Sequence, residues 1–348
     1  MRLYGRLVLI ALALTAVVVV FGAYVRLSDA GLGCPDWPGC YGQLSPHHAA
    51  DDILGAHAAD PNGPVSLPKA WKEMLHRYLA ASLGLLILAI AVLAWRHRTR
   101  GETSPWVATA LVGVVIFQGL LGKWTVTLLL KPAIVTGHLL GGLTTLALLT
   151  WLAMRATGVR RNPVSARWMW AARAALLLLF VQIALGGWTS TNYAALACTD
   201  FPTCHGSLWP EADYGHAFHV VRELGMTAEG ELLPLTALTA IHWAHRMGAV
   251  LVGTALLALG WALARRVPTA GSGVALIAAV LVQVCIGIAN VVLSLPLPLA
   301  AMHNAGAALL VVLVVSINYR LRPLAQPAAG SVPLAQMLQL SSRSRHGA

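Results

Sequence analysis

Charged residues are scarce in this chain. Asp, Glu, Lys and Arg together make up only 11% of its 348 residues, less than half of their usual share in soluble domains. Hydrophobic residues make up 57%, and the mean hydropathy is +0.70. This composition excludes an ordinary soluble domain. It also excludes a disordered chain, because disorder goes with few hydrophobic residues and many charges.

Acidic residues are even scarcer than basic ones, with 13 Asp and Glu against 24 Lys and Arg, which gives a net charge of +11. The basic residues stand singly or in short groups between apolar runs, so they do not form the basic patch that nucleic-acid binding requires. We therefore expect no nucleic-acid partner. A basic excess between apolar runs is instead typical of the loops of membrane proteins.

Long apolar runs are the most prominent feature that the sequence does contain. A helix needs roughly 20 apolar residues to cross a bilayer, and eight runs approach this length. They lie near residues 7–25, 74–95, 105–127, 133–154, 170–190, 235–264, 272–294 and 299–318. The first run is too long for a secretory signal and has no small-residue cleavage site. We therefore predict an all-α integral membrane protein with eight transmembrane helices, surrounded by membrane lipid.

The distribution of charge predicts the orientation. If the N-terminus is cytoplasmic, the inner segments hold sixteen of the 24 basic residues and, among the 13 acidic residues, only Glu102. Positive charge concentrates on the cytoplasmic side of membrane proteins. We predict a multi-pass protein of the cell inner (plasma) membrane with both termini in the cytoplasm.

The two halves of the chain resemble each other at an offset of about 165 residues. Four features recur in the same order in both halves. They are the segments 33–42 and 197–206, Glu73-x-x-His76-Arg77 and His242-x-x-His245-Arg246, Gln118 and Gln283, and His138 and His303. For the recurring glutamines we favour hydrogen bonds between helices over substrate contact.

This internal repeat predicts two tandem four-helix bundles, residues 1–158 and 159–322. Each unit has an even number of spans, so both enter the membrane from the same side. The units should then be related by a rotation axis along the membrane normal, as in a parallel repeat. Residues 323–348 are rich in Pro, Ala, Ser and Arg, and we predict a mobile cytoplasmic tail there.

Five of the 13 histidines lie near the outer ends of predicted helices two, four, six and eight: His76, His138, His242, His245 and His303. Ionisable residues are costly inside a membrane and usually mark a functional site. Two histidines per half, from the second and fourth helices of a bundle, suit bis-imidazole ligation of a haem iron. A hydrogen-bonded structural histidine would explain one such residue, but it explains two matched pairs less well.

Glu73, His76 and Arg77 stand at i, i+3 and i+4, and so share one helix face. We predict that the imidazole binds iron and that the guanidinium binds a haem propionate or a nearby carboxylate. His242 takes the place of Glu73 in the second half. A carboxylate in one half only indicates that this half performs the chemistry. The alternative is that Glu73 merely pairs with Arg77 or Lys72.

In combination, these residues resemble the haem A synthase family over about residues 5–322. The motifs that carry the resemblance are Glu73-x-x-His76-Arg77, His138, His245-Arg246, His303 and two pairs of outer cysteines. The family consists of eight-helix membrane enzymes that oxidise the C8 methyl group of haem O to a formyl group, giving haem A for terminal oxidases. The resemblance implies two successive hydroxylations, with oxygen taken from water, and an electron acceptor that the sequence does not identify.

The resemblance also assigns roles to residues. It implies that His245 and His303 bind a retained haem b and that His76 and His138 face the iron of the substrate, haem O. It further implies that Glu73 is required for catalysis and that Arg77 and Arg246 contribute to haem binding. Haem O synthase is the haem donor that this reaction implies, and the sequence leaves a homo-oligomer open.

Only five cysteines are present, and four of them form two pairs in predicted outer loops, Cys34 with Cys40 and Cys198 with Cys204. An oxidising compartment allows such close pairs to form disulfides, and zinc sites seldom use this spacing. A purely structural role remains open for both pairs. For the first pair, the resemblance also implies redox or haem-handling work.

Two other classes of protein explain part of the pattern. A di-haem electron carrier resembling cytochrome b561 would use the four histidines but has no need of Glu73 or the cysteine pairs. A membrane thiol oxidoreductase would use the cysteines but leaves the histidines within the helices without a role. The haem content of the purified protein distinguishes these classes.

Overall fold

The computed structural model describes residues 3–101 and 103–323, and within this part eight helices are long and apolar enough to cross a membrane. These helices are α1 (Leu3–Leu27), α3 (Leu67–Arg96), α4 (Pro105–Thr127), α5 (Pro132–Ala156), α6 (Ala166–Thr191), α8 (Leu235–Ala264), α9 (Ala270–Val292) and α10 (Leu297–Arg320). The prediction of an all-α membrane protein with eight transmembrane helices is confirmed. Glu102 and the predicted tail after Pro323 lie outside the described residues.

Shorter elements complete the chain. Helix α2 (Ala50–Ala59) lies in the connection between α1 and α3, and α7 (Tyr214–Ala217) lies in the connection between α6 and α8. We name this end of the bundle outer and the opposite end inner, after the predicted orientation. At the inner end, the strands β1 (Asn162–Val164) and β2 (Leu321–Pro323) pair in parallel. This pairing joins the end of α10 to the segment before α6.

Helix α3 begins at Leu67, earlier than the apolar run that predicts it. Its first turns contain Lys69, Lys72 and Glu73, which lower the local hydropathy without preventing a helix. Pro68 stands in the first turn, where the missing N–H costs no hydrogen bond. The helix therefore extends beyond the hydrophobic stretch and carries its polar residues towards the outer connection.

The transmembrane helices pack in two groups of four. Helices α1, α3, α4 and α5 form a closed ring of neighbours, and α6, α8, α9 and α10 form another. The groups meet where α10 contacts α1 and α5 and where α5 contacts α6. In each group the two histidine-bearing helices, α3 and α5 or α8 and α10, stand at opposite corners. These groups are compatible with the predicted units, whose rotation axis remains a prediction.

A polar contact links the outer ends of α1 and α6. The Arg26 guanidinium donates to the Tyr193 hydroxyl at 2.9 Å and lies 4.3 Å from the centre of its ring, and that hydroxyl donates to Asp29 at 2.9 Å. Burial is the main cause that raises the pKa of Tyr193. The phenol therefore stays neutral and keeps its proton for Asp29.

Helices α8 and α9 approach each other closely near the inner side. A Cβ atom at Gly273 would overlap the backbone nitrogen of Ala264 and the carbonyl oxygen of Gly260. Only a residue without a side chain allows this backbone contact, and small residues are typical of close helix pairs in membranes.

We expect Gly273→Ala to lower the free energy of unfolding by about 1–3 kcal/mol, the usual cost of overpacking. Gly253→Ala on α8 is the matched control, because a Cβ there would meet no neighbouring atom. Denaturant titration in detergent measures both variants. Equal stability of Gly273→Ala and the parent protein would contradict the close contact.

Candidate functional site

Each long outer connection contains a small disulfide-closed hairpin. Cys34 and Cys40 are joined, as are Cys198 and Cys204, with Cα–Cα distances of 4.9 Å in both. The predicted pairing within each loop is confirmed. All four cysteines are fully buried, and the fifth, Cys285, is free and exposed on α9.

An aspartate stabilises the turn of each hairpin. Asp36 accepts from the backbone N–H groups of Tyr41 and Gly42, both at 2.7 Å. Asp200 accepts in the same way from His205 at 2.8 Å and Gly206 at 3.0 Å. The hydroxyl of Thr203 and these N–H groups hold the pKa of Asp200 well below its usual range. The turn of the second hairpin therefore keeps an ionised Asp200 carboxylate at its centre.

The hairpins rest on the helices through equivalent positions. A Glu73 carboxylate oxygen, on α3, accepts from the backbone N–H of Cys34 at 2.9 Å. The Nδ1 atom of His242, on α8, accepts from the N–H of Cys198 at 3.3 Å. A carboxylate and an imidazole thus fill the same structural position as hydrogen-bond acceptors. Glu73 is only 5% exposed.

Each hairpin is also bound by an arginine of the helix it rests on, Arg77 on α3 and Arg246 on α8. Arg77 donates to the carbonyl oxygens of Pro38 and Gly39 and pairs with Glu73 at 2.5 Å. The predicted contact of Arg77 with a nearby carboxylate is therefore present.

Arg246 contacts no carboxylate among the described residues. It donates instead to the carbonyl oxygens of Cys198, Asp200 and Thr203 at 2.8–3.0 Å, and its Nε lies 3.2 Å from Nε2 of His242. The main partners of both guanidinium groups are therefore loop carbonyls, which the sequence did not predict.

The four histidines predicted as haem ligands each lie against a glycine of a neighbouring helix. A Cβ atom at that glycine would lie 2.7 Å from the ring of His76, 3.4 Å from His138, 2.9 Å from His245 and 3.1 Å from His303. The glycines are, in the same order, Gly22, Gly122, Gly186 and Gly287. Each imidazole therefore fits a space that exists because the facing residue has no side chain.

The polar atoms of these rings suit axial ligation. Nδ1 is buried and has no hydrogen-bond partner in His76, His138 and His303. Among the described residues, no group of three or more His, Cys, Asp or Glu side chains could hold a single metal ion. A haem supplies four equatorial nitrogens itself and needs only one or two ligands from the protein. Two imidazoles from opposite corners of a helix bundle fit this requirement.

Sequence reasoning missed Gln182, on α6. Its amide nitrogen lies 3.0 Å from Nδ1 of His245 and donates to the backbone oxygen of the same residue at 3.0 Å. The spacing Gln182-x-x-x-Gly186 matches Gln118-x-x-x-Gly122 and Gln283-x-x-x-Gly287, and this signal could have identified it.

The two glutamines that recur with the repeat differ in their contacts. The predicted hydrogen bond between helices is confirmed for Gln283, which donates to the backbone oxygen of His303 at 3.0 Å. It is wrong for Gln118, whose buried amide nitrogen has no partner.

Comparison with known proteins decides the family. Residues 5–315 match the COX15-CtaA model, described as cytochrome oxidase assembly protein. The chain belongs to this family. The resemblance noted from the sequence is therefore confirmed.

Curated relatives of this COX15-CtaA member are named "Heme A synthase". The protein from Shewanella oneidensis is 42% identical over 89% of this chain and 94% of its own. That from Sphingopyxis alaskensis is 31% identical over 89% of this chain and 90% of its own. The Caulobacter vibrioides protein is 27% identical over 90% of this chain and 94% of its own. The similarity thus covers both groups of helices.

The two disulfides allow a direct test of structural against functional roles. Replacing Cys198 and Cys204 by Ser should lower the free energy of unfolding by about 2 kcal/mol, as expected for a short disulfide loop. Denaturant titration under oxidising conditions measures this loss. Replacing Cys34 and Cys40 is the matched comparison. A similar loss of stability with unchanged turnover per folded molecule would show that both disulfides are structural.

Proposed function

We propose that this protein is a haem A synthase, which oxidises the C8 methyl group of haem O to a formyl group. The observation that carries the proposal is the presence of two histidine pairs, only one of which has a carboxylate one turn away. The names of the curated relatives agree with it. Conversion of a methyl group and water into a formyl group releases four electrons and four protons, which requires an acceptor.

The two groups of helices divide the work. In the second group, His245 and His303 would hold a resident haem b, whose iron supplies a one-electron redox centre when bound. In the first group, His76 and His138 would bind the iron of haem O as substrate. Domain limits of 1–158 and 159–322 and the parallel repeat belong to this proposal. Its support is that each pair stands on opposite corners of one closed ring of helices.

Glu73 is the residue of the first group best placed for chemistry. Arg77 and the N–H of Cys34 donate to its two oxygens. It stands one helical turn before His76, on the same helix face. A carboxylate in this position can accept a proton from the methyl carbon or from attacking water, or stabilise a positive charge on that carbon.

Membrane orientation and partners complete the proposal. We propose that both termini lie in the cytoplasm and the disulfide hairpins outside; the support is the excess of basic residues in the inner segments and the disulfides themselves. The substrate is an apolar porphyrin, so haem O synthase, a membrane enzyme that makes it, is the expected donor. The electron acceptor is a separate partner.

We expect Glu73→Gln to lower haem A formation by about 100-fold or more, the usual scale of acid–base catalysis. The amide keeps the volume and still accepts from Cys34, but it loses the charge and the proton-accepting capacity. Pigment analysis of cells that supply haem O should then show haem O or the alcohol intermediate. Near-normal haem A yield would leave Glu73 as an anchor of the hairpin only.

His245→Ala and His303→Ala should each abolish the low-spin haem b spectrum of the purified protein, because either change removes one axial ligand. His216→Ala, in the second outer connection, is the control and should keep that spectrum. An unaltered spectrum in folded His245→Ala protein would overturn the assignment. Haem b without any haem A from the parent protein would favour the di-haem carrier.

A further inference from the structure

Three of the seven glutamines of this protein stand at the same position relative to three of the four histidines proposed to bind haem. On the helix that faces each ring, a glutamine stands four residues before the glycine that the ring contacts. A second glycine follows the histidine by three residues, and a Cβ atom there would overlap the glutamine side chain. The sets are Gln118, His138 and Gly141; Gln182, His245 and Gly248; and Gln283, His303 and Gly306.

In the second group of helices, both glutamines bind the histidine that they face. Gln182 contacts Nδ1 and the backbone oxygen of His245, both at 3.0 Å. Gln283 donates to the backbone oxygen of His303, also at 3.0 Å. An amide side chain can donate from its nitrogen and accept at its oxygen. Here the amide nitrogen of Gln182 faces Nδ1 of His245, and the amide oxygen is buried without a partner. When the other ring nitrogen binds iron, Nδ1 carries the proton, and a turn of the amide brings this oxygen to accept from it.

In the first group, His76 lacks both the glutamine and the second glycine that accompany the other three histidines. Val18 stands four residues before Gly22, where the other sites have glutamine, and Leu79 stands three residues after His76, where they have glycine. A valine has no hydrogen-bonding group, and the leucine removes the space that an amide would need. Among the described residues no glutamine therefore holds His76, whereas Gln283 holds His303 through its backbone oxygen; Nδ1 is buried without a partner in both rings. The remaining glutamine, Gln118, makes no hydrogen bond through its nitrogen either.

We propose that Gln182 is a positioning residue that fixes His245 for a permanently bound haem. We further propose that the Val18–Leu79 pair leaves His76 unheld, so that the first group can exchange its haem. This inference rests on the proposed function, because an enzyme whose substrate is a haem must release one haem and retain another. Both sites use two imidazoles, so the difference in retention has to come from the groups around them. Hydrogen bonds to a ligating histidine typically change metal affinity by 10–100-fold.

The first experiment removes the amide. Gln182→Met keeps a similar volume but cannot hydrogen-bond Nδ1. We expect haem b to leave the purified full-length protein about 10-fold faster, measured by transfer to apomyoglobin, with altered electron paramagnetic resonance signals of the low-spin iron. Gln182→Glu, which restores an acceptor for the Nδ1 proton, should return slow loss and lower the midpoint potential. Gln118→Met makes the matched change in the other group and should leave haem b loss unchanged.

The second experiment introduces the glutamine and the glycine of the other sites next to His76. The double variant Val18→Gln and Leu79→Gly builds the missing set next to His76. We expect it to retain haem O or haem A through purification, at about 10-fold slower loss than the parent protein. Leu79→Gly alone opens the same space without the amide and should not slow the loss.

The outcomes separate the inference from the proposed function. The inference is overturned if Gln182→Met loses haem b at the parent rate and keeps the parent resonance signals. It is also overturned if the double variant loses haem O or haem A as fast as the parent. Either result counts even if the parent makes haem A. If the parent makes no haem A but Gln182→Met still loses haem b faster, the positioning role stands and the proposed function fails. If Gln182→Met does not fold, the double variant decides.

Discussion

The structure depends on one constraint: a polar side chain inside a membrane needs a partner or a function. An unpaired polar group in an apolar surrounding costs several kcal/mol. Among the unpaired buried groups of the described part of the chain are Nδ1 of His76, His138 and His303. Each of these rings lies against a glycine on the next helix. In the proposed function, these three rings are ligands of a haem iron.

The outer hairpins bring a second requirement, since their backbone polar groups need hydrogen-bond partners. Each hairpin is closed by a disulfide, held at its turn by an aspartate and bound from below by an arginine. The acceptor for the first cysteine N–H is Glu73 in one group and His242 in the other. Glu73 therefore joins the disulfide hairpin to the helix that carries His76, and a movement of either would reach the other.

The two groups of helices share their design and differ at a few positions. Glu73 corresponds to His242, Val18 to Gln182, and Leu79 to Gly248. The first difference gives one group a carboxylate one turn before His76, and the other two remove from that group the amide contact that His245 has in the other. In the proposed function, the same three differences separate a site that changes its haem from a site that keeps it.

Much of this protein could be predicted from the sequence, because hydropathy and spacing are local properties. The eight helices, the five histidines within them and the pairing of cysteines six positions apart all follow from residues that are close in the chain. The partners of Arg77 and Arg246, the role of Gln182 and the absence of a bond at Gln118 do not. Each depends on which helices become neighbours and how their faces turn towards one another. That is fixed by the close packing of small and large side chains across the bundle, which the order of residues along one helix does not contain.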